Sequence, residues 1–271
     1  SYYKRLYQEA LTELSTRERL TFSLQQAISQ VPAIQVVKFP FVALSAKAKE
    51  KETDILQLGD AHGAEDIKSD EMLGLNVFNM EILNKRLYEL FRKTARLVEL
   101  RRAGCNILDL VIAEQGDLLS GDIFDDLVWT NLDYMMNSAV RVAFMISQGI
   151  AKISSNFRKI DIYCVVGNHP RLTAKPATKG KYVNWDYLCY QIQATMCRDL
   201  KNVEFHIPKS PFAVVNVENT RVLIWHGDSI RSWAGVPWYG IERAALKLND
   251  LLKARKDFYD LMLLGHFHCR A

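Results

Sequence analysis

The side chains able to do acid–base or metal chemistry are gathered at a few places along this chain. Of its six histidines, five (His62, His169, His226, His266 and His268) follow short apolar runs, and only His206 lies inside one. The same places carry Asp60 in an Asp-x-His, Asp117 in a Gly-Asp, Asn168 in a Gly-Asn-His, and His266 with His268 in a His-x-His. Carboxylate, amide oxygen and imidazole, without thiolate, suit manganese, iron, magnesium or zinc better than a soft metal. The set exceeds the needs of one ordinary ion. Asp117 stands alone in its cluster and is the natural bridge between two. Two divalent ions about 3.5–4 Å apart form the clamp used in phosphoryl chemistry. Each residue has a plainer reading when taken singly. Asp60 and Asp117 would serve as helix N-caps, and His62 and His226 as satisfied core histidines. The order and chemistry of the whole set favour metal.

The elements that must position these residues are legible as alternating apolar runs and helical periods, an α/β pattern. Runs at 54–60, 106–117, 159–169, 221–228 and 260–268 each end in Asp, Asn or His, and further strands are expected at 203–207 and 212–217. Helices are predicted over 77–102, 125–157, 185–200 and 240–256. Short continuous apolar strands imply a sheet covered on both faces by helices. Ligands of such sheets bind beyond the carboxyl ends of the strands, so the polar ends should converge on one rim. His206 reads as structural. Asp228, beside His226, reads as a supporting or capping residue, and Asp122, Asp125 and Asp126 as the start of the next helix.

Outside this region, residues 1–31 predict an amphipathic helix, with Leu6, Leu14, Leu20, Leu24 and Ile28 on its apolar positions and Pro32 at its end. A helix packed on the domain and the tail of a coiled coil both fit. Residues 32–52 read as a linker or peripheral strand interrupted by Pro40, and the regular domain is expected over 53–271. Hydrophobic residues make up 49% and charged residues 24%, which excludes a disordered chain. No apolar run approaches the roughly 18 residues of a membrane span. The charged first 20 residues are not a secretory signal. The net charge of +4 is too mild to announce a nucleic-acid binder. Five cysteines without a Cys-x-x-Cys pair argue for reduced thiols and a cytoplasmic setting.

The motifs Asp-x-His, Gly-Asp, Gly-Asn-His, His and Gly-His-x-His, in this order from about Asp54 to the chain end, resemble the calcineurin-like metallophosphoesterase family. The resemblance implies a β-sandwich of two mixed sheets flanked by helices, carrying two divalent metal ions, manganese first among them. Asp60, His62 and His268 would hold one ion; Asn168, His226 and His266 would hold the other; Asp117 would bridge them. His169 would sit beside the scissile phosphate and donate a hydrogen bond or a proton while a metal-activated hydroxide attacks. The family usually places Asp or Glu after Gly-Asn-His to orient that histidine, whereas this chain has Pro170. Family folds also continue past the last His-x-His, which implies further chain beyond Ala271.

The segment after His169 carries Arg171, Lys175, Lys179 and Lys181 with no acid before Asp186, which suits a phosphate backbone. Trp185, Trp233, Trp238 and Tyr239 offer stacking faces for bases; the alternative is solvated lysines and core aromatics. The layout is similar to bacteriophage-encoded metallophosphoesterases and to the nuclease subunits of double-strand-break repair complexes. It implies a DNA phosphodiesterase, exonuclease-like, acting in a bacterial host cytoplasm, with a homodimer expected from the nuclease relatives. A phosphomonoesterase or nucleotide phosphatase is the alternative, and a non-catalytic metal-binding scaffold a third.

Overall fold

The computed structural model describes residues 50–173, 175, 179–232, 237–254 and 257–268. The expected helix over 1–31, the segment 32–49, Trp233 and the residues after His268 lie outside them. Four strands form one sheet in the order β1-β2-β3-β4: β1 Glu50–Leu58, β2 Cys105–Glu114, β3 Lys159–Cys164 and β4 Val203–His206. The second sheet has the order β5-β6-β7: β5 Phe212–Val217, β6 Thr220–Trp225 and β7 Leu261–Leu264. Among the described residues five helices connect them: α1 Met80–Arg101, α2 Asp125–Thr130, α3 Met135–Ser154, α4 Trp185–Met196 and α5 Trp238–Lys253.

Among the described residues every pairing in the first sheet is parallel, where a mixed sheet was expected. The reason lies in the connections. Each passes through helix, which returns the chain to the same end of the sheet. The second sheet is mixed, because the tight β5–β6 turn makes one antiparallel pair and the α5 crossover one parallel pair.

Alternation along the central strands builds two cores. Leu110, Ile112, Ile160 and Ile162 face α1, α3 and α4. Val111, Ala113 and Val165 face the second sheet, meeting Val215, Val217, Val222 and Ile224. The two sheets therefore pack face to face, so the second sheet covers one face of the first where helices were expected on both, and period-two side chains decide which core each residue enters. Helix α3 is buried nearly all round. At Gly149 a Cβ would stand 2.0 Å from the Phe91 ring of α1, so glycine sets the spacing of those helices.

Helix ends move by up to four residues from the sequence reading, and two departures have a specific cause. β1 begins at Glu50, inside the charged join, because Arg101 pairs with Glu52 and Asp54 and Lys51 pairs with Glu218 at 3.1 Å. The helix expected over 125–157 is broken between Thr130 and Met135. There the backbone turns to pair with the first loop, Asp66 N donating to Thr130 O and Leu132 N to Ala64 O.

Candidate metal centre

Five strands deliver the polar clusters to one rim. The loops after β1 and β2 extend the parallel pairing beyond the sheet: Asp60 N donates to Gly116 O at 2.9 Å, His62 N to Asp117 O at 3.0 Å, and Gly63 N to Leu118 O at 2.9 Å. The loop after β3 closes on them. His169 N donates to Asp117 Oδ1 at 2.8 Å, and at Gly116 a Cβ would stand 2.2 Å from Gly167 N. The loop after β7 joins through His266 N, which donates to Asp60 Oδ2 at 2.9 Å. Asp60, His62, Asp117, His266 and His268 all adopt left-handed backbone, with φ between 46° and 70°. A residue with a Cβ pays roughly 1–2 kcal/mol for that conformation, and such strain gathers at functional sites.

The side chains meet in linked groups. Potential ligand atoms of Asp60, His62 and His268 lie within 4.8 Å of one another, as do those of Asp117, His226 and His266, and those of His62, Asp117 and His169. His62 Nε2 and His268 Nε2 are 3.3 Å apart, and His268 Nε2 is 3.3 Å from Asp60 Oδ1. Asp117 belongs to two of the groups. Asn168 enters through Oδ1, 3.0 Å from His226 Nε2. The seven residues singled out in the sequence thus converge.

The donor set fits divalent cations on a specific ground. His226 Nδ1 stands 2.7 Å from Gln115 O, a contact that requires the proton on Nδ1. A neutral His226 then aims the Nε2 lone pair at Asn168 Oδ1 (3.0 Å) and Asp117 Oδ2 (3.1 Å). Three acceptors facing one another repel unless a proton or a metal ion lies between them. In the bare protein a proton does so: burial opposes the charge, but contact with Asp117 overcomes it and raises His226 to about 9. His62 goes the other way, to about 4, because burial disfavours its charged form and His169 and His268 add to the effect. Its ring is neutral at pH 7, as a metal ligand must be.

A buried pair that the sequence reading did not assign to the site holds the loops in place. Asp186, fully buried in the first turn of α4, accepts from Asp117 N at 2.8 Å, Leu118 N at 3.1 Å and Gly167 N at 2.9 Å. Asn184, the N-cap of α4, donates to Gly167 O at 2.9 Å and accepts from Asp186 N at 2.8 Å. Burial, with the Asp117 charge behind it, pushes Asp186 up to about 7. The visible signal was Asn-x-Asp at a helix start, which alone reads as a cap.

Pro170 leaves His169 without the expected carboxylate, and a backbone carbonyl takes that place: His169 Nδ1 lies 3.2 Å from Ser120 O. Phe124 supports the same ring edge-on, with centroids 5.6 Å apart. Arg171 stacks over Phe124 and donates to Asn168 O at 2.8 Å and Thr173 O at 2.9 Å. A cavity of about 200 Å³ opens beside Asn168, lined by Arg171, Lys179, Lys181, Asn184 and Asp228. Lys181 donates to both Asp228 oxygens at 2.7 Å. Lys175 is exposed and does not line this cavity. Trp185 is half-buried against the core, while Trp238 and Tyr239 are exposed. His206 stacks on Tyr163 at 4.3 Å and lies 2.8 Å from Asp161, with the Lys159 ammonium already between Asp161 and Glu204. That cluster supplies its own cation and is structural. Cys164, Cys189 and Cys197 are buried free thiols. Among the described residues no helix is long and apolar enough to cross a membrane.

No protein-family model matches the chain. Among curated proteins it is similar to the SPbeta prophage-derived uncharacterized protein YonJ of Bacillus subtilis (strain 168), at 20% identity over 227 residues. The match covers 82% of this chain and 51% of that protein, so the chain spans about half the length of the relative it matches.

Proposed function

We propose that this chain carries a calcineurin-like metallophosphoesterase domain that hydrolyses DNA phosphodiesters, as an exonuclease-like enzyme acting in a bacterial host cytoplasm. The observation that carries the reading is the convergence of Asp60, His62, Asp117, Asn168, His226, His266 and His268 beyond the carboxyl ends of five strands. The prophage origin of the relative supports the setting. Divalent cations, manganese foremost, would supply Lewis acidity and lower the pKa of a water. Asp60, His62 and His268 would hold one and Asn168, His226 and His266 the other, with Asp117 between them.

The protein's own groups do the remaining work. His169, with Nδ1 turned to Ser120 O, presents Nε2 to the reacting phosphate. There it donates to a phosphoryl oxygen or to the leaving alkoxide. Lys179 and Lys181 line the cavity beside Asn168 and attract the neighbouring phosphates. Arg171 positions Asn168 through its carbonyl and adds its charge to the same wall.

Asp117→Ala and His226→Ala should each abolish manganese-dependent hydrolysis of bis-p-nitrophenyl phosphate and of labelled DNA while the protein stays folded. Full activity in both variants refutes the assignment. One observation favours a phosphomonoesterase instead: Asp228 neutralises Lys181 inside a cavity of about 200 Å³, leaving little field for a long polyanion. Preference for the p-nitrophenyl mono-ester over the diester, with indifference to DNA, would establish that alternative.

A further inference from the structure

A second surface lies next to the centre. Asp228 lines the cavity beside Asn168, and its neighbour Ser229 lines a groove running along α5. The groove carries three cations, Arg231, Arg243 and Lys247, and among the described residues no acidic one lines it. Tyr239, Arg243 and Lys247 are spaced four residues apart and so follow one face of α5, about 6 Å between successive positions. Tyr239 is exposed, and the Arg243 guanidinium lies 5.6 Å from its ring centroid. Gly240 presses the first turn of α5 onto the chain before it: a Cβ there would stand 2.1 Å from Arg231 O. The close approach brings Arg231 beside the Tyr239–Lys247 face, and Ile230, Ala244 and Leu246 line the groove with them.

Three cations gathered in one groove beside an exposed aromatic ring suit a chain of phosphates that carries flat bases. Phosphates alone would not need the ring. We infer that the α5 groove binds single-stranded nucleic acid and leads it to or from the metal centre through Ser229 and Asp228. The leading role rests on the phosphodiesterase reading above; binding in the groove does not.

The test is fluorescence anisotropy of labelled oligo-dT, 5 and 20 nucleotides long, with the full chain in EDTA so that no turnover occurs. The unchanged protein should bind the 20-mer more tightly than the 5-mer. Combined Arg231→Ala, Arg243→Ala and Lys247→Ala should weaken 20-mer binding at least about tenfold and reduce its salt slope by about 2. Tyr239→Ala should weaken oligo-dT binding about tenfold and leave binding of inorganic polyphosphate, a polyanion without bases, nearly unchanged. All four side chains are exposed, and a thermal melt checks that each variant is folded. Unchanged affinity in the triple variant overturns the inference. Equal losses on oligo-dT and polyphosphate in Tyr239→Ala overturn it too. So does binding of phosphatidylserine vesicles that needs the three cations while oligo-dT is ignored. Hydrolysis of bis-p-nitrophenyl phosphate by the unchanged protein, a substrate too small to span the groove, tests the centre separately.

Discussion

At the scale of single residues, the candidate centre depends on side chains that lie outside its groups of potential ligands. Asp186 is the clearest. Its two oxygens collect three backbone N–H groups from the loops after β2 and β3, so it sets where Asp117 and Asn168 point. Replacing it with Asn keeps the volume and loses an acceptor. Asp186→Asn should lower stability by about 1–3 kcal/mol and weaken manganese binding about tenfold. Thermal melts and calorimetric titration check the two effects. A purely structural role would lower the melting temperature and leave metal affinity of the folded protein unchanged. Asp186 could not have been identified from the motifs, because its partners are backbone amides, which every residue has. The candidate ligands could be singled out, because metal chemistry restricts their types.

At the scale of elements, burial of unusual groups makes two further predictions. Glu114 ends β2 fully buried, and burial pushes its carboxyl from 4.5 up to about 8. Between those values the folded state holds a proton that the unfolded chain has lost. Stability from this residue therefore falls as pH rises from about 4.5 to 8. Glu114→Gln, which can still accept from Gln193, should remove that slope. At pH 9 it should melt roughly 2–4 °C higher for each kcal/mol recovered. A wild-type slope retained in the variant would show that another group is responsible. The second prediction concerns the α1–α3 contact. Gly149→Ala should cost about 1–3 kcal/mol by overpacking Phe91, and the cost should shrink in a Phe91→Leu background. Denaturant titration of the four proteins in that cycle measures the coupling.

At the scale of the whole molecule, strands that begin far apart in sequence close one site. His266 and His268 meet Asp60 and His62 across more than two hundred residues. An ion that binds this assembly and not the unfolded chain stabilises it by mass action, about 2.7 kcal/mol at one hundred times its dissociation constant. Manganese should raise the melting temperature and EDTA reverse the rise, with Asp117→Ala insensitive to both. Scanning calorimetry decides this, and no shift with manganese, iron, zinc or magnesium removes the basis of the proposed function.

The alternation of strands and helices, and the polar residues closing five strands, were readable directly, because side-chain periodicity and ligand chemistry are properties of the sequence. The start of β1 at Glu50 and the break after Thr130 were not. Glu50–Glu52 are charged and look like a join until Arg101 is brought alongside. At the 131–134 break the loop after β1 offers Ala64 O and Asp66 N to the backbone, and Asn131 donates to Gly121 O at 2.7 Å. Nor did Pro170 reveal that Ser120 O would stand beside His169. The chain by itself determined which atoms were available to hold a cation. The tertiary structure decided that they face one another and which buried groups brace them. It also decided that the basic groove of α5 opens beside them. Those outcomes depend on distances between segments, and residue types alone do not specify distance.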